Sequence, residues 1–413
     1  MKAPCQLIAF FLIALASCGS TRTSNSFTPV PVEPSATVAP LEIEPKTDSL
    51  AVTKTPKQAA KKNLGPFKVA LLLPLNIGPG EYKLDDVFAD YYEGVLMGLD
   101  SLKKLGMEVI VTVYDTKNDT AAVKKITWKK ELEESDVIIG PTFKNGHTML
   151  SKYVKAREIA LVSPFSNANM WTDSNHYSMY CTPDDKSYAA ALAAHIAKHH
   201  PNANLVLVND NSKEDKDFLW RFKVAARELG LEKWKDVTYQ KGSDILPQLQ
   251  KGDGDTNIII TPTSNEKTAQ LLLTNLKNDG GSHVNLLFTL ESWLNFKNTN
   301  YQTYELWEQN HLHILTHYFA DDYAKDVIAF KAAYKERFAT IPSDFAFRGF
   351  DHIVAMGILF MNGKGDNLAE SAEEMEVKGL HNTFKFRFNG RALENRSVNI
   401  IEFSEYRFQR INK

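Results

Sequence analysis

The chain contains few cysteines and has no excess of positive charge. Its 413 residues include three cysteines (Cys5, Cys18 and Cys181), and 48 Lys and Arg stand against 50 Asp and Glu, for a formal net charge of −2. Nucleic-acid binding usually needs a basic surface that neutralises phosphates, so this composition argues against a nucleic-acid partner. A chain this poor in cysteine must be stabilised by its hydrophobic cores, and it is long enough to build them.

The sequence also lacks an apolar run of the length that a transmembrane helix needs. The apolar run near the start, Leu7–Ala16, has 10 residues, whereas a helix that spans a bilayer needs about 20. A short apolar run that follows a positive residue, here Lys2, is typical of a secretory signal peptide. We therefore assign residues 1–17 to a signal peptide.

The position of Cys18 directly behind this run indicates a lipid anchor. The quartet Leu15-Ala16-Ser17-Cys18 resembles the bacterial lipobox, in which the peptide is cut before the cysteine and the cysteine is acylated. This resemblance implies a protein that is anchored by lipid in the bacterial cell envelope and faces the periplasm, and Gly19 favours the outer over the inner membrane. The alternative is a plain signal peptide in which Cys18 is an ordinary small residue.

Residues 18–64 have the composition of a disordered tether. The segment from Gly19 to Leu64 holds 6 of the 17 prolines and 12 Ser or Thr, and Phe27 is its only aromatic residue. Such a segment cannot bury enough apolar surface to offset the entropy lost on ordering. We expect it to connect the lipidated cysteine to a folded block.

The folded block carries no recognisable catalytic motif. Neither GxxxxGK[ST] nor HExxH nor GxSxG occurs in the sequence. His311, His313 and His317 have strand spacing but lack a neighbouring Cys or carboxylate, which favours a solvated or hinge-side cluster over a metal site. Cys181 lacks a catalytic neighbourhood. We therefore expect no enzyme, no cofactor and no bound metal.

Strand-like and helical patterns alternate from Phe67 onwards. FKVALLL (67–73) is typical of a buried parallel strand, and residues 88–106 carry apolar side chains at helical spacing. Further strand-like runs are MEVIVTVYD, DVIIG, REIALVSP, HYSMYC, NLVLVND, DTNIIITP, HVNLLFTL and HLHILTHYF, and near the end FKFRF and SVNIIEF. The alternation predicts a doubly wound α/β fold, and the number of strands indicates two sheets.

Four segments resemble, in the same order, parts of the type I periplasmic-binding-protein fold in its branched-chain amino-acid receptor branch. They are YYEGVLMGLDSLKKLG (91–106), DVIIGPTFKNG (136–146), IALVSPFSNAN (159–169) and FKAAYKERFATIPSDFAFRGFDHIVAMG (330–357). The resemblance implies two Rossmann-like lobes joined by three hinge crossovers. Carried over to this chain, lobe I would comprise residues 66–181 and 321–379, and lobe II residues 182–320 and 380–413.

Ligands of open α/β sheets bind beyond the carboxyl ends of the strands. In lobe I, side chains with hydroxyl or amide groups follow the third and fourth strands: Thr142, Ser163, Ser166 and Asn167. The resemblance implies that they hold the carboxylate of the ligand, as hydroxyls at these strand ends do in amino-acid-binding members. Helix capping, which is common for Ser and Thr at such turns, is the alternative.

In lobe II, the resemblance implies an acidic partner for the ammonium of an amino-acid ligand. Glu291 lies where the family often places such a residue, and Asp210 is the second candidate. Trp293, or Tyr82 in lobe I, could pack against a ligand side chain or sugar face. An exposed glutamate and a half-buried tryptophan are also common without any such role.

These observations lead to two hypotheses of different class. The first is a solute-binding lipoprotein that closes its lobes on a small polar ligand, such as an amino acid or a cell-wall fragment, and works with an ABC-transporter permease. The second is a non-enzymatic lipoprotein regulator or scaffold that binds a peptidoglycan-synthesis partner, such as a cell-wall synthase. The long tether favours the second hypothesis, and the hydroxyls at the strand ends favour the first.

Overall fold

The computed structural model of the protein describes residues 65–76, 86–167, 174–279, 282–363 and 367–411. The predicted signal peptide, Cys18, the predicted tether and Tyr82 lie outside the described residues. In the described part of the chain, no helix combines the length and the apolar character needed to cross a membrane.

The strands follow the alternation that the sequence predicts. In chain order they are β1 (Phe67–Leu73), β2 (Val109–Asp115), β3 (Val137–Ile139), β4 (Ala160–Ser163), β5 (Ser178–Tyr180), β6 (Asn204–Asn209), β7 (Lys235–Thr238), β8 (Thr256–Ile260), β9 (Val284–Leu290), β10 (His313–Thr316), β11 (Glu376–Lys378), β12 (Thr383–Phe388), β13 (Leu393–Asn395), β14 (Asn399–Ser404) and β15 (Arg407–Arg410).

Helices connect most of the consecutive parallel strands. They are α1 (Asp86–Lys104), α2 (Thr120–Ile126), α3 (Lys130–Glu133), α4 (Lys144–Lys155), α5 (Asp185–His199), α6 (Lys213–Glu228), α7 (Glu266–Leu276), α8 (Tyr301–Gln309), α9 (Lys325–Phe338), α10 (Asp344–Asn362) and α11 (Leu368–Glu374). Two short 3-10 helices span Leu246–Gln248 and Glu291–Asn295.

The strands form two mixed sheets, which are the centres of two α/β lobes. The first sheet has the order β11-β12-β13-β5-β4-β3-β1-β2, and the second has the order β15-β14-β10-β9-β8-β6-β7. The pairs from β1 to β5 and from β6 to β10 are parallel, and among the described residues each antiparallel strand pair includes a strand from β11 onwards. The prediction of two doubly wound lobes is confirmed.

The third passage of the chain between the lobes lies later than the predicted boundary at residue 380. The strands β12 and β13 belong to the first sheet, because β13 pairs in parallel with β5 through Leu393 and Met179. Phe384 and Phe386 are buried in the core of lobe I. The chain therefore crosses to lobe II between Asn395 and the start of β14, and residues 380–395 are corrected to lobe I.

Close contact between α1 and α10 sets the position of the wall of lobe I that faces the hinge. A Cβ atom added to Gly94 would lie 1.9 Å from the carbonyl oxygen of Ala346, and one added to Gly349 would lie 2.0 Å from that of Tyr91. Only glycine permits the two backbones to approach this closely. The first two turns of α10 are thereby held beside the chain segments that join the lobes.

Candidate functional site

The predicted hydroxyls of lobe I lie together at the carboxyl edge of the first sheet. Ser163 is the last residue of β4 and is 1% exposed, and Thr142 lies half-buried in the turn between β3 and α4. Because β3 and β4 are neighbouring parallel strands, both residues face the same edge. The backbone N–H of Gly140 donates to the carbonyl of Val162 at 2.9 Å, which holds the turn against the end of β4.

Ser166 and Asn167 follow on the loop after β4. Ser166 is buried. The side-chain oxygen Oδ1 of Asn167 is also buried and has no hydrogen-bond partner among the described residues. A buried acceptor without a partner costs free energy, so Asn167 can accept a hydrogen bond from a ligand at this edge.

Glu291 of lobe II is held by one of its two carboxylate oxygens. Its Oε2 accepts hydrogen bonds from the hydroxyls of Tyr188 at 2.9 Å and Thr316 at 3.1 Å, and it lies 3.0 Å from Nδ1 of His317. Its Oε1 makes no hydrogen bond within the described part of the chain, and the side chain is 31% exposed. The carboxylate is therefore fixed in orientation and still has one oxygen available to a ligand.

The same contacts keep Glu291 ionised. Burial acts to raise the pKa of its carboxyl group, but the hydrogen bonds from His317, Tyr188 and Thr316 outweigh this effect and hold the pKa below its usual range. Burial lowers the pKa of His317, so the imidazole acts at neutral pH chiefly as a hydrogen-bonding group. The arrangement presents a fixed negative charge near neutral pH, as an ammonium ligand requires.

The other predicted residues of lobe II have structural partners. The oxygens of Asp210 accept from the backbone N–H of Ser212 at 2.9 Å and from the hydroxyl of Thr263 at 2.8 Å, so its ligand role stays a prediction. Trp293 is fully buried in the core of lobe II, and its indole N–H donates to the carbonyl of Thr263 at 2.9 Å. The prediction that Trp293 packs against a ligand is corrected: it is a core residue.

A row of side chains connects the end of β4 in lobe I with Glu291 in lobe II. None of these side chains was predicted from the sequence to belong to the site. The Phe165 ring, between Ser163 and Ser166, lies 5.6 Å from that of Phe345 on α10. The guanidinium carbon of Arg348 lies 5.2 Å from the centroid of Phe345 and 4.6 Å from that of Tyr318. Tyr318 in turn lies 4.9 Å from the ring of His317, the partner of Glu291. The row therefore runs from the end of β4 to Glu291 along the hinge.

The three histidines with strand spacing lie in different surroundings. His317 lies at the hinge, and His313 lies in lobe II, where it stacks on Phe288 at 4.4 Å; both side chains are buried. His311 lies at the surface, 3.6 Å from Glu402. Within the described residues, no group of three or more His, Cys, Asp or Glu side chains is arranged to hold a metal ion.

Comparison with known proteins places the chain in a family. The family model described as "Periplasmic binding protein" matches residues 66–399, which is most of the chain. The chain belongs to the periplasmic binding protein family. A search of curated protein sequences finds no match.

Solved structures share the fold at low sequence identity. A protein assigned as a branched-chain amino acid ABC transporter from Rhodospirillum rubrum is 15% identical, with a TM-score of 0.60 over 84% of this chain and 100% of that chain. An ABC-type branched-chain amino acid transporter from Rhodopseudomonas palustris is 16% identical, with a TM-score of 0.56 over 81% and 91%. An ABC transporter substrate-binding protein from Desulfitobacterium hafniense, solved in complex with Leu, is 14% identical, with a TM-score of 0.50 over 83% and 99%. At these identities the similarity shows the fold alone.

The hinge of this periplasmic binding protein is tied together by polar contacts. The side-chain amide of Asn395 donates to the carbonyl of Cys181 at 3.1 Å, which links the third crossing to the first. The side-chain amide of Asn382 donates to the carbonyl of His317 at 3.3 Å, and the N–H of Phe319 donates to the carbonyl of His381 at 2.8 Å. The site residues His317 and Tyr318 therefore stand on a braced segment.

Proposed function

We propose that the protein is the solute-binding component of an ABC transporter, and that its lobes close on a small polar ligand such as an amino acid or a cell-wall fragment. The observation that carries this proposal is the state of Glu291. It is ionised, fixed through Oε2 and open at Oε1. Its Oε1 belongs to a partly exposed side chain beside the hinge and is therefore accessible to the ammonium of a ligand.

Lobe I supplies hydrogen-bond donors, whereas Glu291 of lobe II supplies an acceptor. The hydroxyls of Thr142, Ser163 and Ser166 and the backbone N–H groups of the strand-end turns can donate to a carboxylate. An ammonium at Glu291 and a carboxylate at these hydroxyls would be bound by different lobes. The closed state then gains contacts that neither lobe makes alone, which is the condition for closure to depend on the ligand.

The proposed location follows from the family and from the amino terminus. We propose that Cys18 carries the lipid, that residues 18–64 act as a leash, and that the folded block works in the periplasm from the outer membrane without enzymatic activity. Its partners would be the small ligand and a permease. Mass spectrometry of the protein purified from bacterial membranes tests the anchor: acylation at Cys18 is expected, and an unmodified Cys18 contradicts it.

Equilibrium titration of the full chain with each of the twenty proteinogenic amino acids tests the function. We expect at least one to bind, and the double variant Thr142→Ala, Ser163→Ala to bind it at least about tenfold more weakly, since two hydrogen bonds to a charged group are lost. Glu291→Gln should weaken the same ligand by a similar factor.

A matched control is the double variant Ser101→Ala, Thr127→Ala. These hydroxyls also belong to lobe I, but they donate to helix carbonyls of Met97 and Lys124 away from the strand ends. The control should bind like the unmodified protein. If the site variant and the control bind equally well, the site assignment is wrong; if no amino acid or cell-wall fragment binds, the proposed function is wrong.

A further inference from the structure

Arg348 is a half-buried cation that forms no ion pair with any carboxylate of the described residues. It lies in the second turn of α10, and its Nε is buried and has no hydrogen-bond partner in the described part of the chain. An ion pair requires a nitrogen and a carboxylate oxygen within 4.0 Å of each other. No carboxylate oxygen of the described residues lies that close to the Arg348 guanidinium. Its guanidinium stacks on the aromatic rings of Tyr318 and Phe345.

Among the described residues, Arg157, Arg337, Arg396 and Arg407 have carboxylate partners, whereas other arginines, including Arg221 with its buried Nε, have none within 4.0 Å. Arg157 lies 3.3 Å from Glu133, and Arg337 lies 2.6 Å from Asp100, both at the surface. Taking a guanidinium out of water without an anion costs free energy, and stacking on aromatic rings offsets only part of that cost. Arg348 differs from the other unpaired arginines in its place: its buried Nε has no partner among the described residues, and it lies beside the hinge, where a ligand can supply the anion.

Asp344 on the same helix contributes negative charge near Arg348 but forms no ion pair with it. Asp344, one turn earlier, lies 3.4 Å from Nε2 of His381 and has a side chain that is 60% exposed. Its negative charge lowers the positive potential around Arg348, but it does not pair with the N–H groups of the guanidinium. The planar edge that these groups form matches a carboxylate in a two-bond arrangement, which an ammonium or an amide cannot imitate.

Arg348 and Glu291 contact neighbouring residues of one hinge segment. Both flank the same hinge segment: Arg348 stacks on Tyr318, and Glu291 contacts His317, the preceding residue. The cation comes from α10 of lobe I and the anion from lobe II. The site therefore presents one positive group and one negative group, in addition to the hydroxyls at the end of β3 and β4.

We propose that Arg348 binds a second carboxylate of the ligand, so that the site selects an acidic amino acid or a short peptide with an acidic side chain. The ammonium would lie at Oε1 of Glu291, the α-carboxylate at Thr142 and Ser163, and the side-chain carboxylate at Arg348. This inference rests on the proposed function and narrows its substrate class. A neutral amino acid would fill the first two positions and leave Arg348 unpaired.

The test compares acids with their amides. Calorimetric titration of the full chain with L-glutamate, L-aspartate, L-glutamine and L-asparagine should show each acid binding at least about tenfold more tightly than its amide, as expected for a hydrogen-bonded charge pair. Arg348→Gln should remove this preference by weakening the acids and leaving the amides within about twofold. Arg348→Lys keeps the charge without the planar edge and should retain part of the preference.

Arg407→Gln is the matched control. Arg407 also stacks on a tyrosine, with its guanidinium carbon 4.6 Å from the centroid of Tyr323, but it has a carboxylate partner in Glu405 at 3.5 Å. This variant should keep the full preference for acids. Thermal unfolding of each variant shows whether it is folded. If Arg348→Gln does not fold, Arg348→Lys replaces it as the test variant.

Failure of this inference differs from failure of the proposed function. If the amides or leucine bind as tightly as the acids, or if Arg348→Gln weakens acids and amides equally, the role of Arg348 is refuted while the protein remains an amino-acid receptor. If neither acids nor amides nor any other amino acid binds, both proposals are refuted.

Discussion

Substitution of Asp351 tests whether the hydrogen bonds that its carboxylate accepts stabilise the hinge. Its carboxylate is 1% exposed in the middle of α10. Oδ1 accepts the backbone N–H of Leu380 at 2.8 Å, and Oδ2 accepts those of His381 at 2.9 Å and Asn382 at 2.7 Å. The segment 380–382 is in turn bonded to the second crossing, so one carboxylate orients the backbone beneath the site.

The substitution Asp351→Asn keeps the size of the side chain but leaves one acceptor oxygen. If that oxygen stays with His381 and Asn382, the new NH2 group meets the N–H of Leu380, donor against donor. A hydrogen bond to a charged group contributes about 1.5–3 kcal/mol, and a buried donor without a partner costs about 1–3 kcal/mol. Burial raises the pKa of Asp351, so removing the charge recovers part of this loss. We expect a net loss of about 3 kcal/mol in the free energy of unfolding.

Urea unfolding of the full chain, followed by circular dichroism, measures this loss. The control is Asp326→Asn, because Asp326 lies near the start of α9 and, within the part of the chain that the structure describes, accepts a single hydrogen bond, from the N–H of Val327 at 2.9 Å. The control should change the free energy of unfolding by less than about 0.5 kcal/mol. If Asp351→Asn also costs less than about 1 kcal/mol at an unchanged m-value, the three N–H contacts do not stabilise the hinge as argued.

Three further predictions concern packing and pH. Gly349→Ala should lower stability by about 3 kcal/mol in thermal unfolding, because the new Cβ would lie 2.0 Å from the carbonyl of Tyr91, whereas Gly65→Ala has open space and should be neutral. Trp293→Phe should cost about 1–2 kcal/mol by chemical denaturation without changing ligand affinity, since the indole N–H bond is lost from the core; a large loss of affinity would return Trp293 to the site. Burial raises the pKa of Asp215 to about 6, so the native state binds this proton more tightly than the unfolded state, and stability falls as pH rises from about 4 to about 6. Asp215→Asn should make the melting temperature less dependent on pH in that window, and an unchanged slope would show that Asp215 is not responsible.

The repeating elements of the fold could be predicted from the sequence because their signals are local. The apolar run 67–73 coincides with β1, and the helical spacing of residues 88–106 coincides with nearly all of α1. Between β2 and β3 the chain forms two short helices, α2 and α3, and the hydroxyl of Thr127 donates to the carbonyl of Lys124 at the break. The edge strand β7 was missed because its residues are only partly buried.

Assignment to lobes needs information that periodicity does not contain. FKFRF and SVNIIEF are similar strand-like runs separated by eight residues, yet β12 lies in the first sheet and β14 in the second. The partner that decides this, β5, lies about two hundred residues earlier in the chain. Non-local pairing of this kind is set by tertiary packing and cannot be read from the run itself.

Part of the candidate site could be predicted from the sequence, and part could not. Thr142, Ser163 and Glu291 could be proposed from the sequence because each follows a strand, and strand ends share an edge. Arg348 and Tyr318 could not, because a helix turn and a hinge segment meet only after the lobes are assembled. Composition alone could not show that Trp293 is buried.

The most direct test of the central claim is a thermal-shift measurement on the full chain with amino acids, short peptides, nucleobases, sugars and peptidoglycan fragments. A ligand at 100 times its dissociation constant should add about 2.7 kcal/mol of stability. We predict a raised melting temperature for amino acids, largest for those with an acidic side chain. A folded protein whose melting temperature no member of the panel changes would contradict the claim that this protein binds a solute, and would favour the regulator that binds a partner in cell-wall synthesis.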